Sequence, residues 1–264
     1  MPISLFTLSK DSVVSNSWFE HIGKEKRITI PRDSVDKLAL NYYNTIPEFN
    51  LRDNYKSMKG FLFNNKPFQF KLFKDIEDPY YNQIFLMPLV EFNNIYDGLT
   101  LGAKFYNKTV LRKRLNYKFS PQYATKSKSL TGGGSVFHTH LIEDMNLYNV
   151  TYGMGAKYNS FAEDSFVTVF TPSVSLYFRD NDDFRSDKSK FLNLRFLDIS
   201  REVGQNAIIE DLLEPDYSVL NLRYVNSNPG LVNFYKWYYD IQFAEKFGKI
   251  ALNYEYRKLS QSNR

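Results

Sequence analysis

Three histidines and no cysteine set narrow limits on the metal chemistry open to this chain of 264 residues. Two of them, His138 and His140 in "VFHTHLIED", stand two residues apart. On a strand that spacing puts both on one face, where they could ligate a divalent metal together with Glu143 or Asp144. It is not the helical HExxH spacing of zinc peptidases, and no other segment offers an obvious partner. A pair of surface or lumen histidines is the plainer account, and His21 is isolated.

Other candidate motifs fail on their own requirements. "DNDDFRSDKS" (180–189) suggests a calcium loop, but an EF-hand loop starting at Asp180 would need Gly where Arg185 stands and Glu where Phe191 stands. "SLTGGGS" (129–135) lacks the lysine of a phosphate-binding P-loop and does not lead from a strand into a helix. Its glycines suit a strand that must bend or relieve crowding. The acidic stretch "EDLLEPD" (210–216) reads as a solvated loop, and no GxSxG segment marks a nucleophile. No catalytic residue and no cofactor are expected within this chain.

The composition points to another kind of function. Twenty-three Phe, twenty Tyr and two Trp make the chain 17% aromatic. Such an excess suits β-strands and membrane interfaces. Mean hydropathy is negative, at −0.44. No window approaches the roughly 18 consecutive apolar residues of a transmembrane helix. The net charge of +5 is spread along the chain, which describes a solvated basic surface and gives no reason to expect a nucleic-acid partner. The absence of cysteine removes any disulfide framework. "MPISLFTLSKDSV" has neither the basic nor the apolar part of a signal peptide, so an export signal for this chain would lie elsewhere.

These side chains have to be positioned by strands. "ISLFTL" and "RITIP", separated by a polar turn, and then "VDKLALNYY" read as the end of a small β-sandwich over residues 1–50. Residues 51–82 read as a connector with a short helix near "FQFKLFKDI". From 83 to 264 the texture becomes regular, and ten alternating segments are expected at 83–92, 99–107, 115–124, 130–141, 147–160, 164–178, 190–200, 216–226, 232–246 and 249–259. "NIYDG" and "KFGK" mark hairpin turns, and the meander order suits an up-and-down antiparallel sheet.

Alternation alone leaves a soluble sandwich and a membrane barrel both open. Strand length and aromatic placement favour the barrel, because a tilted membrane strand needs about 9–11 residues and Tyr and Trp collect at the lipid–water boundary. The expected fold is all-β: an antiparallel up-and-down transmembrane β-barrel with about ten strands present, preceded by a short sandwich remnant. Its lipid-facing residues would include Tyr148, Val150, Tyr152, Met154, Phe170, Val174, Leu176, Trp237 and Tyr239. Lys118, Gly153, Lys157 and Asp240 would face the lumen. The alternative is a soluble all-β binding module with its aromatic face packed between sheets.

At "IPEFNLRDN" (46–54), "KDIEDP" (74–79), "MPLVEFNNIYDGLTLGAKFYNKT" (87–109) and "ATKSKSLTGGGS" (124–135) the chain resembles the C-terminal part of Bacteroidota gluzincin-family metallopeptidase-like proteins. "LRFLDISRE" (194–202) and "LNYEYRKLS" (252–260) extend the resemblance. In that family an aminopeptidase-type domain and a β-sandwich precede an outer-membrane barrel. The resemblance implies a bacterial outer-membrane location, lipid and an N-terminal peptidase domain as partners, and zinc held by that other domain. The family's HExxH and downstream Glu have no counterpart here, so no catalytic residue carries over. The resemblance also implies a fragment that starts after the catalytic domain and stops inside the barrel.

Overall fold

The computed structural model describes all residues except 1, 11, 24, 32–33, 49–50, 52, 59–66, 74–77, 79, 108–112, 143–145, 180–185, 187, 205–214, 231–232, 245–246 and 259–264. Among the described residues the chain is all-β, without a helix. It divides into two compact units, Met1–Phe85 and Leu86–Arg264.

In the first unit, β1 (Ile3–Ser9), β2 (Ser12–Phe19), β3 (Lys37–Leu40) and β4 (Tyr55–Ser57) form an antiparallel sheet in the order β2-β1-β3-β4. Its small core joins Phe6, Leu8, Ala39 and Tyr55. A buried Asn41 fixes the loop that follows β3. Its side-chain amide donates to Ile46 O at 2.6 Å and Glu48 Oε1 at 2.7 Å, and its side-chain oxygen accepts from Thr45 Oγ1 and Ile46 N, both at 3.1 Å. Asn54 donates to the other Glu48 oxygen, so Asn41, Glu48 and Asn54 form a polar clasp.

Three expectations are corrected here. β2 covers the "polar turn" after "ISLFTL", whereas "RITIP" makes no strand. Antiparallel pairing with β1, aided by a Thr7–Ser15 hydroxyl contact of 2.7 Å, recruits Ser12–Phe19 despite its polar residues. The expected helix near "FQFKLFKDI" is instead β5 (Phe68–Leu72), whose alternation of Phe, Gln, Phe, Lys and Leu has the two-residue period of a strand. The connector also contributes β4, which pairs with β3.

The larger sheet contains β5 and β6 (Asn82–Asn94), β7 (Gly98–Tyr106), β8 (Leu115–Ala124), β9 (Leu130–Leu141), β10 (Leu147–Ala162), β11 (Ser165–Phe178), β12 (Ser189–Val203), β13 (Tyr217–Asn228), β14 (Asn233–Ala244) and β15 (Phe247–Lys258). Each of the ten expected segments corresponds to one strand, from β6 to β15. The order runs β15 to β5 without a crossover, and the sheet does not close on itself among the described residues. β8 and β9 match their expected bounds. Two prolines interrupt the ladder from inside. Partner pairs are missing around Pro121 between β7 and β8, and around Pro172 between β11 and β12, as the absent N–H requires.

A buried carboxylate ties one corner of this sheet together. Asp97, in the β6–β7 turn, is fully buried and accepts from Asn93 Nδ2 at 2.7 Å, Asn94 Nδ2 at 3.1 Å, Ser127 Oγ at 3.0 Å and Ser160 N at 3.3 Å. Ser160 Oγ donates to it as well, and Asn94 Nδ2 reaches Ser160 O at 2.9 Å. In a flat sheet β7 and β10 would lie roughly 14 Å apart, so this corner is not flat. Gly98 closes the turn at φ 68°, a left-handed conformation that glycine adopts without strain. Replacing Asp97 by Ala leaves several buried donors without an acceptor and should destabilise the chain by about 3 kcal/mol or more. Ser160→Ala should cost about 1 kcal/mol, both read from denaturant unfolding midpoints.

Candidate functional site

The large sheet presents two chemically opposite faces. Adjacent strands carry Tyr152, Val174, Leu194, Leu222, Ile241 and Ile250 in one row from β10 to β15. One residue along, the row on the other face reads Thr151, Ser175, Asn193, Arg223, Asp240 and Ala251. Register therefore keeps the two chemistries apart across six strands.

The expected lipid-facing residues fall on the apolar face, with one exception in geometry. Val150, Tyr152, Met154, Phe170, Val174, Leu176, Trp237 and Tyr239 share it. Tyr148 lies in a bulge between Leu147 and Asn149, and its ring carries the Arg179 guanidinium at 5.4 Å. Tyr152 (52%), Met154 (51%) and Tyr239 (45%) are exposed, while Val150 is buried at 7%. Ile250, Leu252 and Tyr254 on β15 are more exposed still. On this face Trp237 meets Tyr224 and Tyr239, with ring centroids 5.3 and 5.2 Å apart.

His138 and His140 also belong to the apolar face, opposite Tyr152 and Val150, and both are exposed. Their surroundings are therefore aromatic and aliphatic instead of a polar lumen. Glu143 and Asp144, the proposed companions, lie outside the described residues, as does most of the "DNDDFRSDKS" loop. Among the described residues no group of three His, Asp or Glu side chains converges.

Lys118, Gly153, Lys157 and Asp240 share the polar face. Asp240 accepts from Asn221 Nδ2 and lies 4.0 Å from Arg223 Nη1, whose guanidinium sits 4.8 Å over the Tyr238 ring. Asn193 Nδ2 donates to Ser175 Oγ at 2.7 Å on the same face. Around Gly153 the structure adds what alternation did not reveal: Phe137's ring lies so close over it that a Cβ there would come within 2.7 Å. Gly102 has a similar use. Gln122 passes over it, and a Cβ would meet Gln122 Cγ at 2.7 Å, so that Gln122 Nε2 reaches Glu91 Oε2 at 3.0 Å.

Beside this network a cavity of about 310 Å³ opens on the polar face between β6, β8, β9 and β10. The triple glycine forms part of its lining, with Lys118 and Lys157 on either side and Glu91 toward β6. Gly132 has φ +126°, and a Cβ would sit 2.1 Å from Ser120 O, so this position demands glycine. A run of three glycines was the available sequence signal. What it could not show was which neighbouring side chains would gather over it.

Comparisons with protein-family models, with curated proteins and with solved structures find no match. Asp240→Ala should leave Asn221 without its carboxylate partner and lower stability by about 1–3 kcal/mol, measured by denaturant unfolding.

Proposed function

We propose that residues 83–264 form the wall of a bacterial outer-membrane β-barrel that anchors a zinc metallopeptidase domain. The observation that carries the barrel is the inverted burial of the large sheet. Bulky apolar side chains such as Leu130, Met154, Phe243 and Ile250 are exposed, while Thr100, Thr131, Asn149 and Asn221 are buried. A soluble sheet covers its apolar face, and an exposed apolar surface on this scale calls for a different contact. Hydrocarbon is that contact, with the polar face turned toward a lumen.

Strand dimensions agree. From β8 to β15 the strands hold 10 to 16 residues, enough for a tilted crossing of the hydrocarbon core. The intervals at one end of the sheet are 95–97, 125–129, 163–164 and 245–246, with 204–216 as the long exception. At the other end they are 107–114, 142–146, 179–188 and 229–232. Three of the five intervals at the first rim hold only two or three residues, whereas none at the second holds fewer than four, an asymmetry in the direction seen in outer-membrane barrels.

The peptidase partner rests on the resemblance of segments 46–54, 74–79, 87–109 and 124–135. In this reading the chain itself performs no hydrolysis, and zinc belongs to the other domain. The edges of the sheet also need partners in the bilayer, because backbone groups unpaired in hydrocarbon cost several kcal/mol each.

Expression with a signal peptide should give membrane-associated protein whose migration in detergent is heat-modifiable. A compact monomer, soluble without detergent, would refute the barrel and favour a soluble binding module. Tyr152→Arg and Leu176→Arg should each cost about 2–4 kcal/mol in lipid if near the midplane, whereas a change on the opposite face, Lys157→Gln, should stay within about 0.5 kcal/mol. In a soluble module the two Arg substitutions should instead abolish folding in water. The peptidase partner is checked in the coding sequence upstream: an in-frame HExxH domain supports it, and a continuous reading frame without one removes it.

A further inference from the structure

We infer that the polar face of the large sheet holds a binding site for small oxyanions, phosphate or carboxylate, between Lys118 and Lys157. The inference rests on the reading of that face as a lumen wall and adds the class of solute it takes.

Register sets the geometry. Lys118 pairs with Ser135, which pairs with Gly155, whereas Ser120 pairs with Gly133, which pairs with Lys157. The two lysines are thus separated by two strand spacings and two residues, with Cα atoms roughly 12 Å apart. Extended side chains can close that span on one small anion.

Nothing bulky separates them. Gly133 and Ser135 lie on the face between the lysines, and Gly155 continues it. Side chains larger than serine there would fill the 310 Å³ cavity. Ser120 spends its hydroxyl on Gly133 O at 3.0 Å. Ser135 is therefore the hydroxyl placed to donate to a bound oxygen.

The charge balance favours an anion. Both lysines are exposed, and Lys104 stands on the same face of β7, its ammonium 5.5 Å over the Tyr106 ring. Glu91 is the carboxylate among the lining residues. It lies on β6, on the far side from Lys157, and is already engaged by Gln122. Farther along the face Arg195 and Arg223 extend the positive field, and Asp240 sits beside Arg223. Cations lining a polar barrel interior draw anions in.

The full chain, folded in detergent or in whichever solvent supports it, is titrated with inorganic phosphate by isothermal calorimetry at low ionic strength, and in parallel with acetate and citrate. Saturable phosphate uptake is expected, weakened roughly tenfold by K118Q with K157Q and by about 0.5 M NaCl. K249Q, on the same face of β15, should change it less than about twofold. Tighter citrate binding would assign the site to carboxylates. In a second readout, phosphate should shield Lys118 and Lys157, but not Lys249, from amine acylation mapped by mass spectrometry. No phosphate or carboxylate uptake, or an equal loss in K249Q, overturns the site. Heat-modifiable migration without anion binding overturns this inference alone. Binding that depends on Lys118 and Lys157 in a chain that is soluble without detergent supports the site while removing the barrel.

Discussion

The large sheet is organised around the burial of one carboxylate. Asp97 has no ion-pair partner among the described residues and is held by donors from three places: its own turn, the β8–β9 turn and the end of β10. A charge withdrawn from water is tolerable only when such donors replace its hydration. Asn94 serves twice, since its oxygen accepts from the N–H groups of Tyr96 and Asp97 while its amide reaches Ser160 O. Meander strands are joined by their ladders only to their neighbours, and Gln122–Glu91, from β8 to β6, is another bond that skips a strand. This knot couples strands that are distant in the order, and it curves the corner that borders the polar cavity.

The second constraint is the ladder itself. Side chains alternate with period two, so a slip of one residue would exchange the faces of a whole strand. From β10 to β15 the register keeps each apolar residue of the Tyr152 row beside another apolar residue, and each member of the Thr151 row on the opposite side. Where the pattern is locally imperfect, a device absorbs it. A bulge takes up Tyr148, and another follows Ser160, the residue that binds Asp97. Gly153 and Gly102 carry neighbouring side chains across positions where a Cβ would collide. The sheet can therefore keep its two faces separate while bending.

Much of this was legible in the sequence because strands announce themselves by period. The ten regular segments and the grouping of Tyr152 with Val174 and Leu176 follow from alternation, and the YDG hairpin follows from its turn residues. The chain before residue 83 was less legible. Ser12–Phe19 is a strand because β1 offers it a ladder, a tertiary cause that local composition hides, and "RITIP" has strand propensity but no pairing partner among the described residues. The candidate site was legible only by face. Alternation placed Lys118, Lys157 and Asp240 on one side, but it could not show that Phe137 lies over Gly153 or that Gln122 crosses Gly102, because those contacts depend on which residues the register sets opposite one another. The histidines show the same limit in reverse: their spacing suggested ligation, and their register sets them among Leu115, Tyr152 and Val150.

The triple glycine links the two faces. Gly132 and Gly134 belong to the apolar side, Gly133 to the polar side, and a wall without side chains is thin. On the apolar side the same segment borders a groove lined by Phe119, Leu130, Val136 and Met154. On the polar side it floors the cavity between the lysines. Enlarging Gly133 would drive a Cβ within 2.7 Å of Ala156 O, so that side chain is excluded by the neighbouring strand before any ligand is considered. The opening on the polar face is thus a consequence of close strand packing, and its charge comes from the lysines that the ladder happens to place around it. A site built this way needs no loop to form it and keeps its shape as long as the β8–β9–β10 register holds.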